Sequence, residues 1–385
     1  MDYIKRLSVP FRQNIFKFIA GSHDPEIQRP NALGSSLLAK LPAELLLHIA
    51  NVLPVSSAAS FTLSCRQINH LVGTRYFEDL ASSFDETLVF LNLIERDLQD
   101  YIVCKSCRKL HRIRDARKYT ENGRQIWPVV TTPNCLADDR RTMVSQFLHD
   151  NFSTTVFKMV MKRHSLFGHD TRTRQLLRLL SWQIFPSHTW GTLVQSEKTE
   201  CRINSGSLFT CKRVIVHGAC KGVEQWQPWI WICPHLELKS TGPPGSLRII
   251  TKFPLAIKEM WSGLLHSKEV TDTKKTSWGS SSGFRQCRFC RTEFETTFEH
   301  HNGCKMKIKI TIWKDLGQWP EGEEWKQKIY LSPLDRLSPP QSIQFPRGEI
   351  TSVFEAQKVN LSWKENTILR FQRSLDSVML ELGLI

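Results

Sequence analysis

The chain has 385 residues and a mass of 44.6 kDa, enough for about two or three domains with sizeable cores and too much for a disulfide-stapled miniature scaffold. With 41% hydrophobic and 23% charged residues, the composition is that of a folded chain rather than a disordered one. The 52 Lys and Arg against 37 Asp and Glu leave a net charge of +15, which permits acidic partners without requiring them.

The first 36 residues read as a loose arm. Lys5 and Arg6 are followed by Pro10, Arg12, Gln13 and Lys17, which interrupt the apolar core that a secretory signal needs, and Pro25, Pro30 and Gly34 punctuate the rest. No apolar run reaches the roughly 18 residues that cross a bilayer, so no membrane partner is expected. A cytoplasmic or nuclear location follows. In such a reducing compartment the 11 cysteines read as thiols or metal ligands, not as disulfides.

Residues 37–80 are densely apolar. Pro42 suits a helix start, where its missing N–H costs nothing, and Glu44 follows in the positive first turn. The first helix is predicted over Pro42–Leu53, with Leu45, Leu46, Ile49 and Leu53 at helical spacing and Pro54 as its stop. A second helix restarts after Val55, capped by Ser56 or Ser57, and a third runs over Gln67–Val72 to Gly73. Cys65, within this packing, is expected to be a small buried hydrophobe. A unit of this size buries its apolar surface incompletely, so part of it should meet another surface.

Taken singly, such leucines are ordinary helix core. As an ordered pattern, Leu41-Pro42-Ala43-Glu44-Leu45-Leu46-Leu47-His48-Ile49, then Leu53-Pro54, then Ser60-Phe61 and Leu63-Ser64-Cys65-Arg66, the segment resembles an F-box. The resemblance implies docking onto a Skp-type adaptor, which joins a cullin scaffold in a ubiquitin ligase. Leu41, Pro42, Leu45, Leu46, Ile49, Leu53 and Pro54 would form or support that docking surface. The stretches Phe90–Tyr101, Cys104–His111 and Thr311–Gly317 are similar to those of a group of fungal F-box proteins. Residues 81–385 would then be a substrate-recognition domain for an unidentified protein target.

Beyond residue 80, two Cys-x2-Cys pairs stand out. Cys104 and Cys107 are followed by His111 and Cys135, which can complete a tetrahedral zinc set. Cys287 and Cys290 have three sources of further ligands: Cys233 with His235, Cys304, or His300 with His301. A shared four-thiolate site between the two pairs is a further arrangement, and reduced buried cysteine without metal is the alternative to all of these. Residues 101–180 hold 16 basic and 6 acidic side chains. Within them Arg108, Lys109, Arg112, Arg114 and Arg117 offer an acidic partner, such as a phosphorylated peptide or nucleic acid, a cluster of cations.

Helices with basic faces are predicted over Phe152–Ser165 and Thr171–Ser181. Strands are predicted over Ser207–His217, Trp226–Cys233, Ser246–Phe253 and, most clearly, Cys304–Trp313. In the last of these Met306, Ile308, Ile310 and Ile312 alternate with Lys305, Lys307, Lys309 and Thr311, one face buried and the other a lysine ladder. Polar stretches over 267–283 and 331–348 read as loops, and Ser362 and Glu365 open a closing helix with a capping box. No P-loop, HExxH, GxSxG elbow or dinucleotide turn is present, and the adjacent acids Asp138-Asp139 and Glu323-Glu324 read as solvated surface.

The chain is thus expected to be an α+β protein, an amino-terminal three-helix unit followed by a larger mixed domain stabilised by structural zinc. Its expected role is that of a non-catalytic adaptor. The alternatives are an F-box protein acting outside the ligase and a basic, zinc-containing nucleic-acid-binding protein.

Overall fold

The structure, a computed structural model of the chain, describes residues 36–120, 135, 147–149, 152–190, 193–219, 229–240, 247–251, 283–301, 305–320, 325 and 342–356. The arm before Ser36, the stretches 267–282 and 331–341, the closing helix, Cys304, Trp226 and both acidic pairs lie outside the described residues. The chain divides into two compact units, residues 1–115 with 133–135, and 116–132 with 136–385. Helix and strand are both abundant, with helices leading, as the composition and patterning imply.

In the first unit a short 3-10 turn, Leu37–Lys40, is capped by Ser36 and leads to α1 (Ala43–Val52), which starts after Pro42. Next come α2 (Val55–Ser64), opened by Pro54, and α3 (Arg66–Val72), which Gly73 closes at φ 77°, a left-handed conformation that glycine adopts without strain. Cys65 packs against the core as expected but is only half-buried; it sits in the joint between α2 and α3, and its Sγ also accepts the Ile68 N–H at 3.4 Å as a helix cap.

Two further helices, α4 (Arg75–Ser82) and α5 (Phe84–Asp97), and the hairpin β1 (Tyr101–Cys104) with β2 (Lys109–Arg112) complete the unit. Ala50, Ala58, Ile68, Tyr76, Phe77, Leu80, Phe90 and Val103 form one core, with Phe77 and Phe90 packed edge-on at 6.0 Å. The boundary expected after residue 80 falls inside α4, and α5 and the hairpin share the core of the preceding helices.

In the second unit α6 (Thr154–Phe167) and α7 (Thr171–Leu180) pack together across a short turn, with Asp170 capping α7 and bound to Arg163 of α6. The basic face expected of α6 is not solvated as such, because Lys162 is buried with Val156, Phe157, Met159 and Val160. Six antiparallel strands follow in the order β3-β4-β5-β11-β10-β9: β3 (Trp182–Trp190), β4 (Leu193–Asn204), β5 (Ser207–Ala219), β9 (Gly283–Gln286), β10 (Thr292–His301) and β11 (Lys305–Gly317). Between β5 and β9 the chain makes a three-stranded sheet of β6 (Trp229–Cys233), β7 (Leu236–Ser240) and β8 (Leu247–Thr251).

Ile308, Ile310 and Ile312 of β11 pack with Val214, Val216 and Phe294 of the large sheet and with Ile230, Ile232 and Leu238 of the small one. The two sheets therefore share a core. On the opposite face Phe209, Cys211 and Trp313 lie under Phe345, Ile350 and Phe354, the last two on α8 (Glu349–Ala356). This corrects the expected lysine ladder: Lys307 and Lys309 are half-buried, and from Thr311 onward both faces of β11 are covered. Glu293, itself buried, fixes α8 by accepting the N–H groups of Gly348 (2.6 Å) and Thr351 (2.8 Å) and the Thr351 hydroxyl (2.7 Å). A carboxylate there answers the positive end of the helix. At the other end the Arg202 guanidinium donates to the Phe354 carbonyl at 2.6 Å.

Candidate metal centres

The first cluster grows from the β1–β2 hairpin. Cys104 ends β1, and the chain turns so that the Cys107 N–H points at the Cys104 Sγ (3.4 Å) and the Arg108 N–H reaches the Cys104 carbonyl (2.8 Å). Arg108 takes φ 50°, the left-handed step that closes this knuckle. His111 lies on β2, buried, and Cys135 arrives from later in the chain, its N–H on the Cys107 Sγ at 3.4 Å and its Sγ 3.7 Å from His111 Nε2. The ligand atoms of Cys104, Cys107, His111 and Cys135 all lie within 4.8 Å of one another.

The second cluster joins two sheets. Cys233 ends β6 and His235 follows in the turn to β7, while Cys287 and Cys290 occupy the turn from β9 to β10. That turn is tied by the Cys287 N–H to the Thr292 carbonyl (2.9 Å) and the Thr292 N–H to the Cys290 carbonyl (2.7 Å). The Phe289 N–H points at the Cys287 Sγ (3.4 Å), and His235 Nδ1 stands 3.7 Å from Cys287 Sγ and 4.0 Å from Cys233 Sγ. All four residues are buried, and their ligand atoms also fall within 4.8 Å of one another.

A tetrahedral zinc with legs of about 2.3 Å to sulfur and about 2.1 Å to nitrogen spans a sulfur–nitrogen edge of about 3.6 Å. The 3.7 Å separations in both clusters match that figure. Three thiols and one imidazole are moreover a donor set suited to zinc, and N–H groups aimed at sulfur stabilise thiolate. Both clusters can hold a structural metal. Each has four protein ligands, so each is a closed site.

The thiols of each cluster shift one another's ionisation. In the first cluster hydrogen bonds from Cys104 and Cys135 hold the Cys107 thiol far below its usual range, while its bond to Cys107 pushes Cys104 up to about 11 and Cys104 and Cys107 push Cys135 higher still. In the second, burial opposes ionisation everywhere, yet hydrogen bonds from Cys287, Cys290 and His235 keep Cys233 low; Cys287 and Cys290 are driven up by burial and by Cys233. Within each cluster the thiols oppose one another's ionisation, and a divalent ion would remove that repulsion.

Both Cys-x2-Cys pairs thus lie in clusters, and His111 and Cys135 join the first as the spacing allows. Of the three ligand sources open to the second pair, the structure selects Cys233 and His235. The backbone of His300 and His301 lies at the other end of β10 from the turn that bears Cys287 and Cys290, paired with Met306 and Lys305. Each pair has its own third cysteine and histidine, so the shared four-thiolate arrangement is not formed.

The apolar positions of α1 divide by face. Leu46 is buried in the core; Leu41, Ile49 and Leu53 are half-buried; Pro42, Leu45 and Pro54 are exposed. Leu37 and Val52, which the pattern did not single out, are 78% and 69% exposed, beside Leu45 at 49%. Among the basic residues, the Arg108 guanidinium stacks 3.5 Å from the Phe84 ring centre, and Arg112 lies over Tyr101 and donates to its hydroxyl. Lys109, Arg114 and Arg117 are exposed. No helix among the described residues is long and apolar enough to cross a membrane. Comparison of the chain with protein-family models, with curated proteins and with solved structures finds no match.

Proposed function

We propose that this chain is an F-box substrate-recognition adaptor of a Skp-cullin-F-box ubiquitin ligase. The observation that carries the reading is the outward face of α1. Helices that only build a core turn their large apolar residues inward, yet here Leu45 and Val52 stand out two turns apart, with Pro42 and Leu37 also exposed. Their exposure falls within the segment whose sequence resembles an F-box. A partner that covers them removes apolar surface from water at about 25 cal/mol per Å².

On this reading the second unit holds the target protein near ubiquitin-loading machinery supplied by others, and the chain accelerates transfer by proximity alone. The closed metal centres favour a structural over a catalytic role, because neither keeps an open ligand position. The nucleic-acid alternative is weakened by the engagement of Arg108 and Arg112 with aromatic rings of the same unit.

Co-purification tests the proposal. The tagged chain should recover a Skp-type adaptor and a cullin, and the Leu41→Ala/Pro42→Ala double variant should lose both. Leu45→Asp should lose them too while changing folding stability by no more than about 0.5 kcal/mol, as expected for a half-exposed site. Recovery of neither protein by the folded wild type would remove the ligase reading.

A further inference from the structure

The two centres differ in their electrostatic needs. Zinc with three thiolates and a neutral imidazole carries one net negative charge. In the first centre Cys107 is half-buried and Lys105 and Arg108 are exposed on the same knuckle, so water and mobile cations screen that charge. In the second centre all four ligands are buried, and an uncompensated charge away from water is costly.

Lys314 stands on the covering side of β11, in phase with Ile308, Ile310 and Ile312, and is only 3% exposed. Its Nζ finds no hydrogen-bond partner among the described residues and lies 5.5 Å from the Phe147 ring centre. Across the ladder its partner is Thr292, whose hydroxyl is 3.2 Å from Cys290 Sγ. Directly paired residues share a face of the sheet, which places the lysine beside the thiol cluster. Lys212, another buried lysine on this face, is neutralised by Glu197 at 2.9 Å. Burial draws the Lys314 ammonium down to about 8, against the opposing pull of Cys233, Cys290 and Cys287, and Lys212 repels it.

We propose that Lys314 is the counter-ion of the second centre: its ammonium balances the net negative charge of a metal held by Cys233, His235, Cys287 and Cys290. It is a positioning residue, not a ligand. A buried lysine without a partner is otherwise an anomaly, and a methionine of similar shape would be the cheaper occupant. The inference rests on the reading that this cluster binds zinc.

Chelator competition on the full chain, with zinc counted per chain, tests it. Lys314→Met should weaken one of the two zinc ions by about 10- to 100-fold, the usual effect of losing an outer partner of a metal site, and leave the other unchanged. The weakened ion should be the one absent from a Cys290→Ser chain. Lys314→Arg, which keeps the charge, should hold both ions. In metal-free protein, Lys314→Met should unfold at no lower denaturant concentration than the wild type, a sign opposite to its effect on zinc. A wild type without zinc at the second centre would sink the metal reading itself. If the wild type holds two ions and Lys314→Met holds both as tightly, the counter-ion role is overturned. It is equally overturned if Met and Arg weaken the same ion alike. Should the methionine chain not fold, the arginine chain decides: two tightly held ions support the role, and loss of the second refutes it.

Discussion

At the level of single residues, particular carboxylates hold the helices of the second unit in place. Glu293 serves three donors at the start of α8. Glu293→Ala leaves those donors unpaired under the helix, and with about 1–3 kcal/mol for a buried unsatisfied group, the variant should lose about 3 kcal/mol in denaturant unfolding. Asp170 offers a pH-dependent case. Its hydrogen bond from Arg163, then that from the Thr173 N–H, holds its carboxyl at about 2 in the fold, below its ordinary value near 3.8. The stabilisation is therefore complete above about pH 4 and is lost as pH falls toward 2. Asp170→Ala should cost about 1 kcal/mol at neutral pH, and stability curves of the two proteins should converge over that acid range. In the first unit Leu46→Ala should cost about 2–4 kcal/mol because its side chain fills the core. At its neighbour Leu45, turned outward, the same change should cost little folding stability.

At the level of elements, legibility followed the amphipathic signal. The three helices of 43–72 and strand β11 stand in the sequence because apolar residues recur at 3.6 or 2.0 spacing, and prolines and glycine mark the ends. Strands β4 and β10 do not, since Thr199, Glu293 and Thr296 are buried polar residues that alternate with others equally polar, so neither face looks apolar. The Cys-x2-Cys pairs are visible because both ligands come from one turn. His235, by contrast, meets Cys287 across 52 residues, a pairing that only the fold of two sheets selects. Lys314 left a signal that its residue type obscured: it falls in phase with the buried isoleucines, not with the lysines. The second centre fastens the β6–β7 turn to the β9–β10 turn. Cys290→Ser should therefore lower the thermal midpoint of the second unit and increase hydrogen exchange in β6 and β7, while leaving exchange in α1–α5 unchanged.

At the level of the whole molecule, two compact units each combine an ordinary apolar core with a closed Cys3His cluster. In the first, the cluster ties Cys135 to a hairpin that packs on the helices bearing the outward apolar face. In the second, it joins the β6–β7 turn of the small sheet to the β9–β10 turn of the large one. Metal binding is coupled to folding at such sites, because ligands held together only in the folded state make binding free energy part of stability. The most direct measurement is the zinc content of the purified full chain by mass spectrometry under native and denaturing conditions. Two zinc ions per chain, both released on denaturation, is the predicted result. A folded chain that carries none, with all these thiols freely reactive, would contradict the account.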